Sequence, residues 1–413
     1  MKKQYGLIGE RLEHSYSPRL HSLLGAYDYQ LLPTPPEELD TLLRQRAFAG
    51  LNVTIPYKQS VIPYCVELSE TARRIGSVNT MVRRQGGAWY GDNTDAYGFA
   101  EMARRAGIRF GGQKALVLGS GGTSRTACDV ISQSGGLPVV ISRNGENDYA
   151  AIEQHQDATL LVNTTPVGMY PATDAAPLCL TRLPNLRGVL DVIYNPLRTR
   201  LLQQAEEMGI PCVGGLLMLV MQAVRACEQF TGETVPKEKI LGALATLRKG
   251  ALNLVLVGMP GCGKTTIGRN LAESLRLPVI DIDAEIEKER GCTIPEIFER
   301  EGEAAFRKLE AAQIARFGRE TGRVLITGGG AVLAAQNRES LQLNGFVVHL
   351  TRPLDWLSTR GRPLSENQAA LRSMWERRAP LYAACADITI PNDSTPDACI
   401  RAIQEAYHEA LYH

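Results

Sequence analysis

Short apolar runs recur along the chain and alternate with polar, helix-compatible segments: ALVLGSGG (115–122), LPVVIS (137–142), ATLLVNT (158–164) and GVLDVIY (188–194). Runs of this length bounded by turn residues predict buried strands, and the alternation predicts strand–helix units on a parallel sheet. Upstream, QYGLIG, AGLNVTIP and NTMVRR predict further strands and SPRLHSLLGAY a helix, which suits a separate α/β lobe. LLMLVMQAVRACEQFTG is apolar over most of its surface and predicts a helix packed between lobes, ended by Gly232. The alternation restarts at LNLVLVGMPG (252–261) and continues through PVIDID, RVLITGGG, FVVHL and ADITI, which predicts a second α/β domain. We therefore expect one domain over residues 1–249, with one lobe at about 1–105 plus 215–249 and another at about 106–214, and a second domain over 250–413. Only ATLRKGA lies between them, with no Pro- or Ser-rich tether, so close neighbours are expected.

Composition narrows the picture without deciding it. The 413 residues exceed one small core, and 45 Lys+Arg against 44 Asp+Glu give no general polyanion surface, hence no nucleic-acid partner. No apolar run follows MKKQ and no window approaches a membrane span, so a cytoplasmic protein is expected; a homo-oligomer is compatible with the sequence. Nine scattered cysteines without C-x-x-C and six histidines without ligand spacing argue against disulfides and a protein-held zinc site. Any metal expected is one carried by a nucleotide.

Two glycine-rich loops carry candidate chemistry. GMPGCGKT fits G-x-x-x-x-G-K-[ST], after a predicted strand and before TIGRNLAESL. Its glycines let backbone N–H groups curl round phosphate, Lys264 reaches the terminal phosphates and Thr265 offers a hydroxyl to Mg²⁺. Asp281 and Asp283 are read as closing a strand, Arg307 lies in AAFRKLE, and arginines recur at 360, 362 and 378. A small-molecule kinase needs a carboxylate near the acceptor hydroxyl and arginines for anionic groups. Taken singly, Asp283 equally suits a helix N-cap and Arg307 a solvated helix charge.

Taken together, GMPGCGKTTIGRNLA, DIDAEIE, IFEREGEAAFRKLE, GGGAV, GRPL and ERRAPLY resemble the shikimate kinases, over essentially all of 252–413. The resemblance implies a P-loop nucleoside monophosphate kinase-like fold, with ATP on Gly261, Cys262, Gly263, Lys264, Thr265 and Thr266. It places shikimate on Asp283, Arg307, Gly329 and Arg378, with both arginines on its carboxylate and Asp283 as candidate base. Lys264 and Arg362 would stabilise the transferring phosphoryl group, while Thr265 and, through water, Asp281 would support Mg²⁺. One departure is that only Gly361 separates Arg360 from Arg362, where the family's lid is usually longer.

The earlier loop, LGSGGTSR (118–125), follows a strand but has Ser124 where G-x-G-x-x-G has its third glycine. At the end of the next strand, where an NAD enzyme would hold an acidic residue, this chain has Ser142 and Arg143, and a guanidinium favours a 2′-phosphate, hence NADP(H). The amino-terminal segment offers HSYSP, NVTIPYK, GSVNT and GDNTD. A Lys58/Asp95 pair can deliver a proton to oxygen without metal, although Lys58 alone suits a surface lysine and Asp95 a helix N-cap. The set resembles shikimate dehydrogenase over roughly 4–245. That resemblance implies a Rossmann lobe beside a substrate lobe, with the substrate carboxylate on Ser15 and Ser17. Further contacts would come from Thr54, Asn79, Asp95, Tyr194 and Gln222, with Lys58 catalytic and Asp95 its partner. The pyrophosphate would lie on Gly119, Ser120, Gly121, Gly122 and Thr123, the 2′-phosphate near Ser142 and Arg143, and the nicotinamide near Gly215. SRNGEN lacks the second basic residue that the family often has there.

Together the resemblances imply a bifunctional enzyme of aromatic amino-acid biosynthesis. It would reduce 3-dehydroshikimate to shikimate with NADPH and then phosphorylate the new hydroxyl with Mg-ATP. The rival expectation is a quinate/shikimate dehydrogenase using NAD, fused to a kinase-like domain that binds ligand with little turnover.

Overall fold

Three sheets, built from sixteen strands in chain order, organise the computed structural model, which describes residues 3–12, 15–45, 47–357 and 368–412. The first sheet holds β1 (Gln4–Gly9), β2 (Asp28–Pro33), β3 (Phe48–Val53), β4 (Cys65–Leu68), β5 (Thr80–Arg83) and β6 (Trp89–Asp92), in the order β2-β1-β3-β5-β6-β4. It is mixed: β5 runs antiparallel to both β3 and β6, whereas β1 is parallel to β2 and β3. The second sheet, β7 (Lys114–Leu118), β8 (Leu137–Ile141), β9 (Leu160–Asn163), β10 (Gly188–Asp191) and β11 (Cys212–Val213), is wholly parallel, in the order β11-β10-β9-β7-β8. The third, β12 (Asn253–Val257), β13 (Val279–Asp281), β14 (Val324–Ile326), β15 (Gly345–Thr351) and β16 (Ile388–Pro391), is also parallel, in the order β13-β14-β12-β15-β16.

The central strands β9, β10 and β12 are buried at every position, as expected of parallel strands covered by helices on both faces. The apolar runs of the sequence therefore mark strand centres, and the glycine loops fall at the carboxyl ends of β7 and β12, where open parallel sheets bind ligands. The fold is α/β throughout, in line with the sequence reading.

The chain divides into two compact units. One holds residues 1–169, 174–194 and 201–244 with the first two sheets; the other holds 170–173, 195–200 and 245–413 with the third. In the first unit, helix Leu216–Thr231 packs on helix Thr94–Arg105, on helix Ser17–Leu24 and on β3 and β5, and stops where Gly232 turns left-handed at φ 78°. None of the described helices is long and apolar enough to cross a membrane.

One local expectation changes. β13 ends at Asp281, and Asp283 lies in the first turn of helix Ile282–Arg290, because Asp281 takes the extended N-cap conformation and helical geometry begins one residue later. Asp283 is thus neither strand end nor cap. The segment carrying Arg307 is a helical run, Ile294–Arg319, broken at Gly302, whose φ of 80° only glycine adopts freely.

Candidate active sites

In the first unit, the edge of the mixed sheet and the start of helix Leu216–Thr231 enclose a cavity of 550 Å³. Ser15 and Ser17 come to it at the start of helix Ser17–Leu24, where the Ser15 N–H donates to the Leu12 carbonyl at 3.1 Å. Thr54 and Lys58 arrive on the turns after β3, Asn79 just before β5, and Asp95 in the first turn of helix Thr94–Arg105. Tyr194 and Gln222 complete the part of its wall expected to hold substrate, while Thr123 and Gly215, expected at the dinucleotide's pyrophosphate and nicotinamide, line this cavity too and not the one at Gly119–Gly121. Lys58 Nζ donates to Asp95 Oδ2 at 2.6 Å, with both side chains largely buried. The Asp95 N-cap alternative fails because Asn93 is the cap, accepting from Ala96 N–H. Gly215 must be glycine: an added Cβ would lie 2.0 Å from the Val192 carbonyl oxygen.

Behind this wall runs a buried polar network that the motifs did not reveal. Asn79 Oδ1 accepts from Thr94 N–H at 2.7 Å and from the Thr80 hydroxyl, so its amide N–H₂ is the end left for a ligand. Thr80 in turn accepts from Asn52 Nδ2 at 3.0 Å, and Asn52 Oδ1 accepts from the Tyr29 hydroxyl at 2.7 Å. The Tyr29 phenol, pushed far up by burial, also interacts with Ser17. His21 stacks on Tyr29 with ring centroids 4.0 Å apart and bonds the Tyr27 hydroxyl through Nδ1 at 2.5 Å. The sequence marks only its Asn79 and Ser17 members; Asn52 falls inside NVTIPYK without a signal of its own.

A second cavity, of 610 Å³, lies at the carboxyl edge of the second sheet and is lined by Gly119, Ser120, Gly121, Ser142 and Arg143. Gly119 has φ 106°, and an added Cβ there would lie 2.9 Å from the Thr164 hydroxyl; Cβ atoms on Gly121 and Gly122 would meet open space. Helix Gly122–Gln133 starts here with no side-chain cap, leaving its first N–H groups for an anion. The donor set suits a pyrophosphate, and Arg143 has no ion-pair or hydrogen-bond partner among the described residues. Tyr149, unsuspected from sequence, lines the same cavity, half-buried, where the Arg143 charge partly offsets the upward push of burial on its phenol.

In the second unit, the loop after β12 wraps round the buried Lys264, whose Nζ donates to the Gly258 and Met259 carbonyls at 2.9 and 3.0 Å. One of its three N–H donors remains for a phosphate. Gly258 (φ 147°), Gly261 (φ 84°) and Gly263 (φ 103°) hold conformations only glycine tolerates cheaply. Asn392 Nδ2 donates to the Cys262 carbonyl at 2.8 Å and pins the loop, a role sequence did not suggest. Thr266 follows on helix Lys264–Leu275, exposed. The Thr265 hydroxyl lies 3.4 Å from Asp281 Oδ2, a hard-oxygen pair that fits Mg²⁺ held mainly by phosphate and water. No larger His/Cys/Asp/Glu metal cluster occurs among the described residues.

Next to this loop, Gly329 touches Pro260 so closely that a Cβ would fall 2.6 Å from its ring. The Gly329 carbonyl accepts from Arg378 at 2.8 Å and from the Tyr382 hydroxyl at 2.5 Å. Arg307 bridges Glu303 and the fully buried Glu310 at 2.9 and 2.8 Å. Asp283 Oδ1 and Glu310 Oε1 are buried without a hydrogen-bond partner and converge on Gly328. Burial, and then the charges of Glu310 and Asp281, push the Asp283 carboxyl up to about 6, against the opposing pull of Lys264 and Arg307. Lys264, Asp283, Arg307, Gly329 and Arg378 thus share one site. Arg360 and Arg362 lie outside the described residues.

A shikimate dehydrogenase (NADP(+)) from Clostridium perfringens strain SM101 is 35% identical over 257 residues, spanning 57% of this chain and 94% of the relative. The chain belongs to the shikimate dehydrogenase family. The family's substrate binding domain matches residues 7–81, and the shikimate kinase family matches residues 260–408, so the dehydrogenase is fused to a kinase domain in one bifunctional enzyme. The shikimate 5-dehydrogenase of Thermus thermophilus, solved with NADP(H) and shikimate, is 32% identical with a TM-score of 0.53, covering 58% of this chain and 98% of that one. A quinate dehydrogenase from Corynebacterium glutamicum, solved with NAD, is 28% identical with a TM-score of 0.55, covering 59% of this chain and 99% of that one. The dehydrogenase fold therefore serves both substrate and cofactor preferences, and the choice between them rests on the side chains of the two cavities.

Proposed function

We propose that this chain reduces 3-dehydroshikimate to shikimate with NADPH and then phosphorylates the hydroxyl so formed with Mg-ATP. Residues 1–249 would form the dehydrogenase and 250–413 the kinase. The observation that carries the reading is the Lys58–Asp95 pair, at 2.6 Å, facing a cavity that is also lined by the hydroxyls of Ser15, Ser17 and Thr54 and the amides of Asn79 and Gln222. NADPH, when bound, supplies the hydride. Lys58 Nζ gives the proton to the carbonyl oxygen, and Asp95 Oδ2 holds the ammonium in place through its hydrogen bond. Ser15 and Ser17 orient the carboxylate, and the Asn79 amide and Thr54 hydroxyl orient the ring hydroxyls. Arg143 meets the 2′-phosphate, which supports NADP over NAD.

In the kinase, Asp283 accepts the proton of the attacking hydroxyl, and its raised pKa suits a group that must take and release a proton near neutrality. Arg307 and Arg378 hold the acceptor's carboxylate, while Lys264 offsets charge on the transferring phosphoryl group. Thr265 and, through water, Asp281 would hold Mg²⁺, which supplies neutralisation of the phosphate charge. Initial rates decide the dehydrogenase assignment: kcat/KM for shikimate with NADP⁺ should exceed that for quinate with NAD⁺ by about tenfold or more. Equal values, or a reversed order, would replace the proposal with an NAD-linked quinate enzyme.

A further inference from the structure

Among the described residues, three charged side chains line the 550 Å³ cavity: Lys58, Asp95 and Arg11. The first two neutralise each other at 2.6 Å. Arg11 has no ion-pair or hydrogen-bond partner among the described residues, so it is the one charged side chain of that described lining left without a counter-charge. Ser15 N–H donates to the Leu12 carbonyl, and Arg11, Ser15, Tyr16 and Ser17 all line the cavity. Within the wall, Ser17 N–H donates to the Ser15 hydroxyl at 3.2 Å, and Ser17 interacts with Tyr29, which is fixed by Asn52. The hydroxyls are therefore held from behind and are neutral. Two neutral hydroxyls orient an anion but compensate little of the water it loses on entry. A guanidinium supplies that compensation, as paired hydrogen bonds to two oxygens.

We infer that Arg11 is a substrate-binding residue of the dehydrogenase, pairing with the substrate's carboxylate over the Ser15–Ser17 wall and setting the enzyme's preference for the acid over uncharged analogues. This rests on the proposed substrate class, and it goes beyond it by adding a residue outside the serine motif. Arg11 is exposed, so the pairing is sensitive to salt.

The test is steady-state oxidation of shikimate and of its methyl ester with NADP⁺, at low and high ionic strength, by wild type, R11A, R11Q and R11K. In R11A and R11Q the KM for shikimate should rise about tenfold at low salt, with kcat and the KM for NADP⁺ within about twofold. The rise should shrink at high salt, R11K should recover most of the loss, and the ester should not distinguish the variants from wild type. An unchanged KM for shikimate, or equal losses on acid and ester, would overturn the inference. The wild-type rate on shikimate tests the proposed function separately, since the inference is read from the ratio of variant to wild type.

Discussion

His21, stacked on Tyr29 beneath the dehydrogenase cavity, should make this unit sensitive to mild acid. The ring is 1% exposed, and burial pushes its pKa down to about 3 against the opposing hydrogen bond of Asn52. In the unfolded chain the imidazole returns to about 6.5. Below that value the unfolded state takes the proton first, so the stability contributed by neutral His21 is complete above about pH 6.5 and is lost progressively as pH falls toward about 3. The loss is about 1.4 kcal/mol per pH unit, or about 2 kcal/mol between about pH 7.5 and about pH 5. Amide hydrogen exchange of peptides covering β1 to β3, compared between wild type and H21Q at each pH, isolates this term, because the chemical pH dependence of exchange cancels between the two proteins. Following single peptides also avoids treating two units as one transition. The opening free energy of wild type relative to H21Q should fall by about 2 kcal/mol across that range. A difference that stays flat, or that grows on acidification, would refute the reasoning.

Separate sites should fail separately. K58A should lower dehydrogenase turnover by about a hundredfold or more with kinase turnover nearly intact, and K264A the reverse, as read by NADP⁺ reduction and ADP release; joint loss would contradict independent active sites. A methyl group at Gly330 would meet three atoms of the Arg307 guanidinium at 2.3–2.5 Å, while Glu303 and Glu310 hold that head in place. G330A should therefore raise the kinase KM for shikimate about tenfold and leave the dehydrogenase rate unchanged; an unaltered KM would remove Arg307 from the acceptor site.

Much of this arrangement was legible in the sequence because its signals are local. Val255, Leu256 and Val257 form a buried run ending at a glycine loop, and that pattern alone predicts a strand feeding a phosphate cradle. The HSYSP, NVTIPYK and GDNTD motifs each delivered side chains to the same cavity. The features without a local signal depend on pairing between distant segments. Tyr29 bonds Asn52 only because β2 and β3 flank β1, and nothing near DYQLLP announces that partner. Asn392 reaches the Cys262 carbonyl from the far end of the third sheet, and Tyr382 reaches Gly329 from a helix. The sequence places Asp283 at a strand end because the apolar alternation of PVIDID continues past the point where backbone geometry turns helical.

The most direct measurement gives the purified chain 3-dehydroshikimate, NADPH and Mg-ATP and identifies the product by mass. The account predicts shikimate 3-phosphate, with one NADPH oxidised and one ADP formed for each molecule made. Accumulation of shikimate without ADP, or ADP release without NADPH oxidation when only 3-dehydroshikimate is supplied, would contradict it.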